Sequence, residues 1–210
     1  MDWQRIYFYI KDNPEWFILG LVVILLIGGG SGYYYHTRLQ EEAQVRQQFN
    51  RVFFFYTRAE EPDQYEQVTQ QLNHLLGQYP DTRLRDKILY FLGKSHYRRE
   101  EYESAIQNFL EVARNFPDSI FYESSRLHAG YCYHQLGRSA EALAQFERLE
   151  NLPPDDPAYK EALWQQGLIH WENEEPEKAR RALEKLVETV PDEDTYWLRR
   201  ARGLLSDISA

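Results

Sequence analysis

The side chains of this chain that could take part in chemistry are six histidines and a few neighbouring pairs of carboxylates. The histidines are scattered along the sequence: His36, His74, His96, His128, His134 and His170. The acidic pairs are Glu100-Glu101, Asp155-Asp156 and Glu174-Glu175. Catalysis needs a base or nucleophile beside such groups, and a metal site needs ligands that converge on one point. The sequence indicates neither, so we expect no enzyme activity, no metal and no cofactor.

Two other features that could mark chemistry have simpler explanations. Cys132 is the single cysteine, so no disulfide can form within the chain, and its neighbours Tyr131 and Tyr133 indicate a packed thiol. The glycine-rich residues 28–32 follow an apolar run and do not form a phosphate-binding loop. The formal net charge of −9 and the pI near 5.2 argue against nucleic acid as a partner.

A Pro-Asp dipeptide returns along the chain with a constant step of 37 residues. Its copies are Pro80-Asp81, Pro117-Asp118, Pro154-Asp155 and Pro191-Asp192. Small residues keep the same step: Gly93, Gly130 and Gly167, and also Ala105, Ala142 and Ala179. Self-similarity at a fixed period of this length predicts a solenoid of stacked units.

Each unit is predicted to contain two helices, the second of which ends at a proline. In the first full unit, Ile88, Leu89 and Leu92 lie on one helical face, and Ala105 and Phe109 mark the inner face of a second helix. The predicted pairs are 46–60 with 63–78, 83–98 with 101–115, 120–136 with 139–150, and 158–173 with 176–189. The predicted caps of the first helices are Thr82, Ser119 and Asp156. A last amphipathic helix at about 195–208 would cover the open end of the array.

The order of small and aromatic residues within a unit resembles the tetratricopeptide repeat. Gly130-x-x-Tyr133, then Ala142-x-x-x-Phe146 and then Pro154 match that motif best, whereas the following copy is looser and a leading copy is degenerate. The usual period is about 34 residues, so we expect longer helices or turns to absorb the difference. The resemblance implies an all-α tetratricopeptide solenoid of about four helical hairpins plus a C-terminal capping helix, over roughly residues 46–208.

An apolar segment precedes the repeats. Residues 16–35 carry no charged side chain and include the continuous apolar run 21–27. A stretch of about 20 apolar residues spans a bilayer as one helix. Trp16 and the three tyrosines at 33–35 stand at its ends, where aromatic residues of membrane helices belong. We therefore predict a single transmembrane helix at 16–35 that continues as one helix into the first repeat.

A cleaved signal peptide is the alternative interpretation, because small residues after an apolar core resemble a cleavage region. Against it, the leading segment is not strongly basic and no Ala-x-Ala site follows the run. Basic residues stand on both sides of the span, Arg5 and Lys11 before it and Arg38, Arg46 and Arg51 after it. The positive-inside rule therefore leaves the orientation open.

These features divide the chain into predicted segments. Residues 1–15 form a short cytoplasmic or interfacial segment, 16–35 the transmembrane helix, 36–82 a linking helix and degenerate first repeat, 83–119, 120–156 and 157–193 three tetratricopeptide repeats, and 194–210 the capping helix.

This layout resembles the YfgM family, an ancillary subunit of the SecYEG translocon. The resemblance lies in the architecture and in the anchor that runs from Asn13 through Trp16 to Tyr35. It implies a protein of the inner membrane with a cytoplasmic amino terminus and periplasmic repeats, which supports protein export or periplasmic folding beside translocon subunits and chaperones. The alternatives are a cytosol-facing membrane adaptor with the opposite topology and an envelope-assembly or cell-division coordinator.

The first helix of each tetratricopeptide unit lines the concave groove of such solenoids, so the partner surface is predicted there. The predicted peptide-binding residues are Tyr90, Lys94, Tyr97, Leu127, Tyr131, His134, Trp164, Leu168 and Trp171. Further positions on the same side are Lys87, Arg98, Ser124, Gln135, Glu161 and Glu172. Their aromatic character suits apolar or amphipathic protein segments, such as those of unfolded clients, and no small-molecule substrate is expected. The alternative is that Trp164 and Trp171 only pack against the neighbouring unit or the capping helix.

Overall fold

The computed structural model describes residues 14–190 and 195–209. Within these two ranges every regular element is an α-helix, and no strand occurs. Residues 1–13, 191–194 and 210 lie outside the described residues. Most of the predicted interfacial segment 1–15 and the last repeat dipeptide, Pro191-Asp192, lie outside them too.

The helices are numbered in chain order. They are α1 (Pro14–Tyr56), α2 (Pro62–Gln78), α3 (Arg85–Arg98), α4 (Tyr102–Asn115), α5 (Tyr122–Gln135), α6 (Ser139–Glu147), α7 (Pro157–Glu172), α8 (Pro176–Thr189) and α9 (Thr195–Ser209). Contacts group the chain into two compact units, residues 1–47 and 48–210.

In the first unit, α1 runs without a break through the glycine-rich residues 28–32. The apolar side chains of residues 21–27 are all exposed. The helix from Ile18 onwards contains a window of 18 residues with a mean hydropathy of 1.7, and none of that window is buried. This part of the chain is therefore long enough and apolar enough to cross a membrane, although a signal sequence meets the same criteria.

The second unit contains three of the predicted helical hairpins. The helices α3 and α4, α5 and α6, and α7 and α8 pair with each other, and α9 packs on α8 and α7. The bounds of these pairs agree with the prediction to within two residues, except that α6 ends at Glu147 and not at 150. There the chain leaves the helix as a turn in which Leu149 N donates to Phe146 O at 2.9 Å. The side chain of Leu149 is fully buried, so this turn still contributes to the core.

Each of these hairpins is closed by a small residue on its first helix and a large one on its second. The pairs are Gly93 with Phe109, Gly130 with Phe146, and Gly167 with Leu183. A Cβ placed on Gly130 would lie 2.5 Å from Cζ of Phe146, which is closer than two carbon atoms can pack. Ala105 and Ala142 are 0% exposed and Gly130 is buried, so these small residues of the repeat lie between the paired helices. The small positions of the repeat therefore set how closely the two helices approach.

The approach to each first helix also repeats. Asp156 caps α7 as predicted, because its Oδ1 accepts a hydrogen bond from Ala158 N at 2.7 Å. Thr82 and Ser119 likewise accept from the N–H two residues further on, at 3.2 and 3.1 Å. However, α3 and α5 begin three residues after these hydroxyl groups, with no side-chain cap of their own. The prediction that Thr82 and Ser119 cap helices is therefore wrong: they stabilise the turn that precedes each helix.

Candidate peptide-binding face

The first helices of three successive hairpins, α3, α5 and α7, carry the residues that were predicted to bind peptides. We use the name first-helix face for the side chains on them that remain at least partly accessible: Tyr90, Lys94, Tyr97, Leu127, Tyr131, His134, Leu168 and Trp171. All of these are half-buried except Trp171, which is 37% exposed. Side-chain contacts connect the three helices along this face.

A lysine–histidine hydrogen bond joins α3 to α5. Lys94 Nζ lies 2.8 Å from His128 Nε2, and His128 Nδ1 lies 2.6 Å from the carbonyl oxygen of Ser124. An ammonium group can only donate, so a neutral imidazole that accepts at Nε2 and donates from Nδ1–H satisfies both contacts. The rings of Tyr90 and Tyr97 lie 5.8 and 6.2 Å from the imidazole.

The ionisation of this pair follows from its burial. Burial, and then the charge of Lys94, lowers the pKa of His128 to about 4. Burial, and then the charge of Arg98, lowers the pKa of Lys94. At neutral pH the face therefore carries a neutral histidine beside a partly desolvated ammonium group.

His128 was not among the predicted site residues, although the repeat contained a signal for it. The residue one period earlier is Phe91, whose ring lies 5.0 Å from that of Phe53 on α1. Both positions thus contact the preceding first helix. Because His128 occupies the same repeat position as Phe91, it is expected to contact α3, the first helix before its own.

Between α5 and α7 the contact is made by a phenol and a carboxylate. The Tyr131 hydroxyl and the Glu161 side chain line the same pocket, and Glu161 accepts a hydrogen bond from Gln165 Nε2 at 2.8 Å. Burial, followed by the adjacent Glu161 carboxylate, raises the pKa of Tyr131 above its ordinary value. The phenol therefore stays protonated at neutral pH.

Nearer the ends of α5 and α7 a second polar contact joins the helices. His134 Nε2 lies 2.6 Å from Glu172 Oε2. Ser139 Oγ of α6 lies 3.2 Å from Asn173 Oδ1, just after α7. The side chain of His134 thus links successive hairpins, while the neighbouring Trp171 remains exposed. The partly accessible aromatic surface therefore extends from α3 to the end of α7.

Trp164 does not belong to the first-helix face. It is 8% exposed and packs in a cluster with Leu198 and Ala201 of α9. The guanidinium carbon of Arg200 lies 4.1 Å from the centre of its ring. The placement of Trp164 in an open groove is therefore corrected, because the last helix covers the indole. Trp171, two helical turns further on, keeps its accessible surface.

The other residues considered for chemistry have structural contacts. Cys132 is buried, and burial raises the pKa of its thiol to about 12. Two of the histidines hold equivalent turns, since His96 Nδ1 lies 2.6 Å from Glu101 Oε2 and His170 Nδ1 lies 2.7 Å from Glu175 Oε2. Over residues 14–190 and 195–209, no group of three or more histidine, cysteine or acidic side chains is placed to hold a metal ion.

Comparison with protein families matches residues 57–201 to the family described as "T7SS, ESX-1 secretion system protein EccA1, N-terminal domain". The match covers more than half of the 210 residues. The chain belongs to this family. A comparison of the chain with curated proteins finds no match.

Solved structures with the same fold are tetratricopeptide and related repeat proteins. A tetratricopeptide repeat protein from Parabacteroides merdae has a TM-score of 0.63 at 16% identity, over 81% of this chain and 60% of that one. The repeats of a putative kinesin light chain from Podosopora anserina have a TM-score of 0.59 at 14% identity, over 80% of this chain and 91% of that one. BtubC from P. vanneervenii has a TM-score of 0.61 at 11% identity, over 87% and 80%.

At these identities the structures show the fold alone, and the chain spans less than two thirds of the Parabacteroides merdae protein. The fold is that of a tetratricopeptide solenoid, as predicted. This fold typically serves as a scaffold for interactions between proteins.

Proposed function

We propose that this chain is a membrane-tethered scaffold that binds a segment of a partner protein on its first-helix face and serves protein export. The observation that carries the proposal is the row of partly accessible aromatic side chains on successive first helices: Tyr90, Tyr97, Tyr131 and Trp171. Aromatic side chains supply large contact areas at low entropic cost and often dominate interface energies. An amphipathic or apolar segment is the partner that such a row accommodates.

The family match and the resemblance of the layout both support a role in protein export. The family that matches the chain is described as a secretion-system protein, and the layout of an anchor followed by repeats resembles the ancillary subunit of a translocon. Both concern the movement of proteins across a membrane. The partner is accordingly a translocon subunit, a chaperone or an unfolded segment of an exported client.

The exposed apolar stretch of α1 supports a single-pass anchor, and the resemblance to the translocon subunit implies the inner membrane with the repeats in the periplasm. Alkaline phosphatase and green fluorescent protein fused to the carboxyl terminus test this orientation. Phosphatase activity without fluorescence is expected. Fluorescence without phosphatase activity would instead support the cytosol-facing adaptor, and a soluble chain that lacks residues 16–35 would identify a signal peptide.

Site-specific photocrosslinking tests the binding surface. We would place p-benzoylphenylalanine at Trp171, which lies on the first-helix face, and at Ile120, which is 84% exposed in the turn before α5. Both positions are apolar and accessible, so Ile120 controls for nonspecific capture. The proposal expects crosslinked partners at position 171 that Tyr131→Ala diminishes, and few at position 120. Equal crosslinking at both positions would contradict it.

A further inference from the structure

A pocket of about 430 Å³ opens between α5, the first turn of α7 and α9. Its apolar wall is formed by Leu127 and Tyr131 of α5 and by Trp197 of α9. Three carboxylates also line it: Glu123, Asp156 and Glu161. The pocket therefore combines aromatic surface with acidic groups, at the point where the first-helix face meets the last helix.

The three carboxylates differ in how far the protein already satisfies them. Asp156 caps α7 through its Oδ1 atom. Glu161 accepts a hydrogen bond from Gln165. Across the described residues 14–190 and 195–209, none of the three forms an ion pair with a lysine, arginine or histidine. The lining thus carries formal negative charge that the fold does not neutralise.

A cation close to this pocket has other partners. The guanidinium group of Arg200 stacks on Trp164, and its Nη1 donates to the Tyr196 hydroxyl at 2.8 Å. Its centre also lies 5.6 Å from the ring centre of Trp197, one of the pocket walls. Arg200 thus shows that the aromatic residues of α7 and α9 already hold one guanidinium group beside the pocket.

We propose that this pocket receives the side chain of an arginine or lysine of the partner segment, next to an apolar residue of the same segment. The inference rests on the proposed function and specifies the partner's chemistry. An apolar side chain alone would desolvate Glu123 and Glu161 without pairing them, and an anion would be repelled. A guanidinium group suits both the acidic and the aromatic part of the lining, because it pairs with carboxylates and stacks on aromatic rings.

The test uses the full chain in nanodiscs and a phage-displayed library of random dodecapeptides. Peptides are selected on the wild-type protein, and the enriched sequences are synthesised with arginine and with its neutral isostere citrulline. Their dissociation constants are measured for wild type and for the double variant Glu123→Gln, Glu161→Gln. The double variant Glu103→Gln, Glu147→Gln removes the same charge from exposed positions on α4 and α6, away from the pocket lining, and is the matched control.

The proposal expects enriched peptides to share a basic residue beside an apolar one. The citrulline peptide and the pocket variant should each raise the dissociation constant by about ten- to hundredfold. The citrulline peptide measured on the pocket variant should show much less than the sum of the two losses in binding free energy. The control variant should bind the arginine peptide as the wild type does. Peptides that bind without a basic residue, or equally well to the pocket variant, would overturn this inference while leaving the proposed function intact. If the wild-type chain enriches no peptide, both proposals fail.

Discussion

Gly130 on α5 faces the ring of Phe146 on α6 so closely that a Cβ on the glycine would stand 2.5 Å from Cζ. Phe146 is fully buried, so its ring has no open space into which it could move. The equivalent pairs in the hairpins before and after show the same relationship, with nearest distances of 2.7 and 2.6 Å. The close approach of the two helices is therefore a property of the repeat.

Gly130→Ala should destabilise the protein, because the added methyl group overlaps the Phe146 ring. We expect the free energy of unfolding to fall by about 1–3 kcal/mol, measured by urea denaturation of the full chain in a mild detergent. Gly203→Ala is the matched control, since a Cβ at Gly203 in α9 meets no atom within 4 Å. That variant should gain about 0.5–1 kcal/mol from helix propensity. Equal effects of the two substitutions would contradict the packing argument.

The turns within the hairpins place one residue each in the left-handed region of backbone conformation. These residues are Glu100, Gly137 and Glu174, with φ of 60°, 69° and 59°, and they keep the step of the repeat. A side chain at such a position costs about 1–2 kcal/mol, whereas glycine adopts it freely. Gly137→Ala should therefore lower the melting temperature, and Glu174→Gly should raise it or leave it unchanged. A lower melting temperature for Glu174→Gly than for Gly137→Ala would refute the assignment of strain.

Trp164 and Trp171 lie on the same helix and should respond differently to substitution. Trp164→Ala removes a side chain that α9 covers, so we expect a loss of about 3–5 kcal/mol of unfolding free energy. Trp171→Ala removes a ring that is 37% exposed, so it should cost clearly less stability than Trp164→Ala while weakening partner binding. Comparable stability losses in the two variants would show that Trp171 also belongs to the core.

The stability of the protein should depend on pH through His128. The pKa of this histidine is lowered to about 4 in the folded chain and is about 6.5 when unfolded. Between these values the unfolded chain binds more protons, so stability is lost as pH falls from about 6.5 to about 4, by roughly 3 kcal/mol at most.

Urea denaturation near neutral pH and near pH 5 measures this loss. His128→Gln should reduce the difference between the two conditions, because glutamine does not titrate. His74→Gln replaces an exposed histidine of α2 and should leave the difference unchanged. Identical pH dependence in wild type and His128→Gln would disprove the role of His128.

Most of the solenoid could be predicted from the sequence because its determinants are local or lie within one hairpin. Prolines end helices, and Asp156 caps the helix that follows it. Gly130 and Phe146 meet across a single turn, so their spacing along the chain already indicates that they pack together. The prediction for Thr82 and Ser119 was wrong only because each helix begins three residues after the hydroxyl group and not directly after it.

The sequence by itself therefore determined the repeat, its helices and which side chains share one side of each first helix. Only the tertiary structure decided which of those side chains remain accessible. Trp164 is covered because α9, the helix that follows the last hairpin, packs on α7 and α8. His128 meets Lys94, and Tyr131 meets Glu161, across helices from different hairpins. Such contacts depend on how the hairpins stack, and periodicity along one helix carries no information about the distance between two of them.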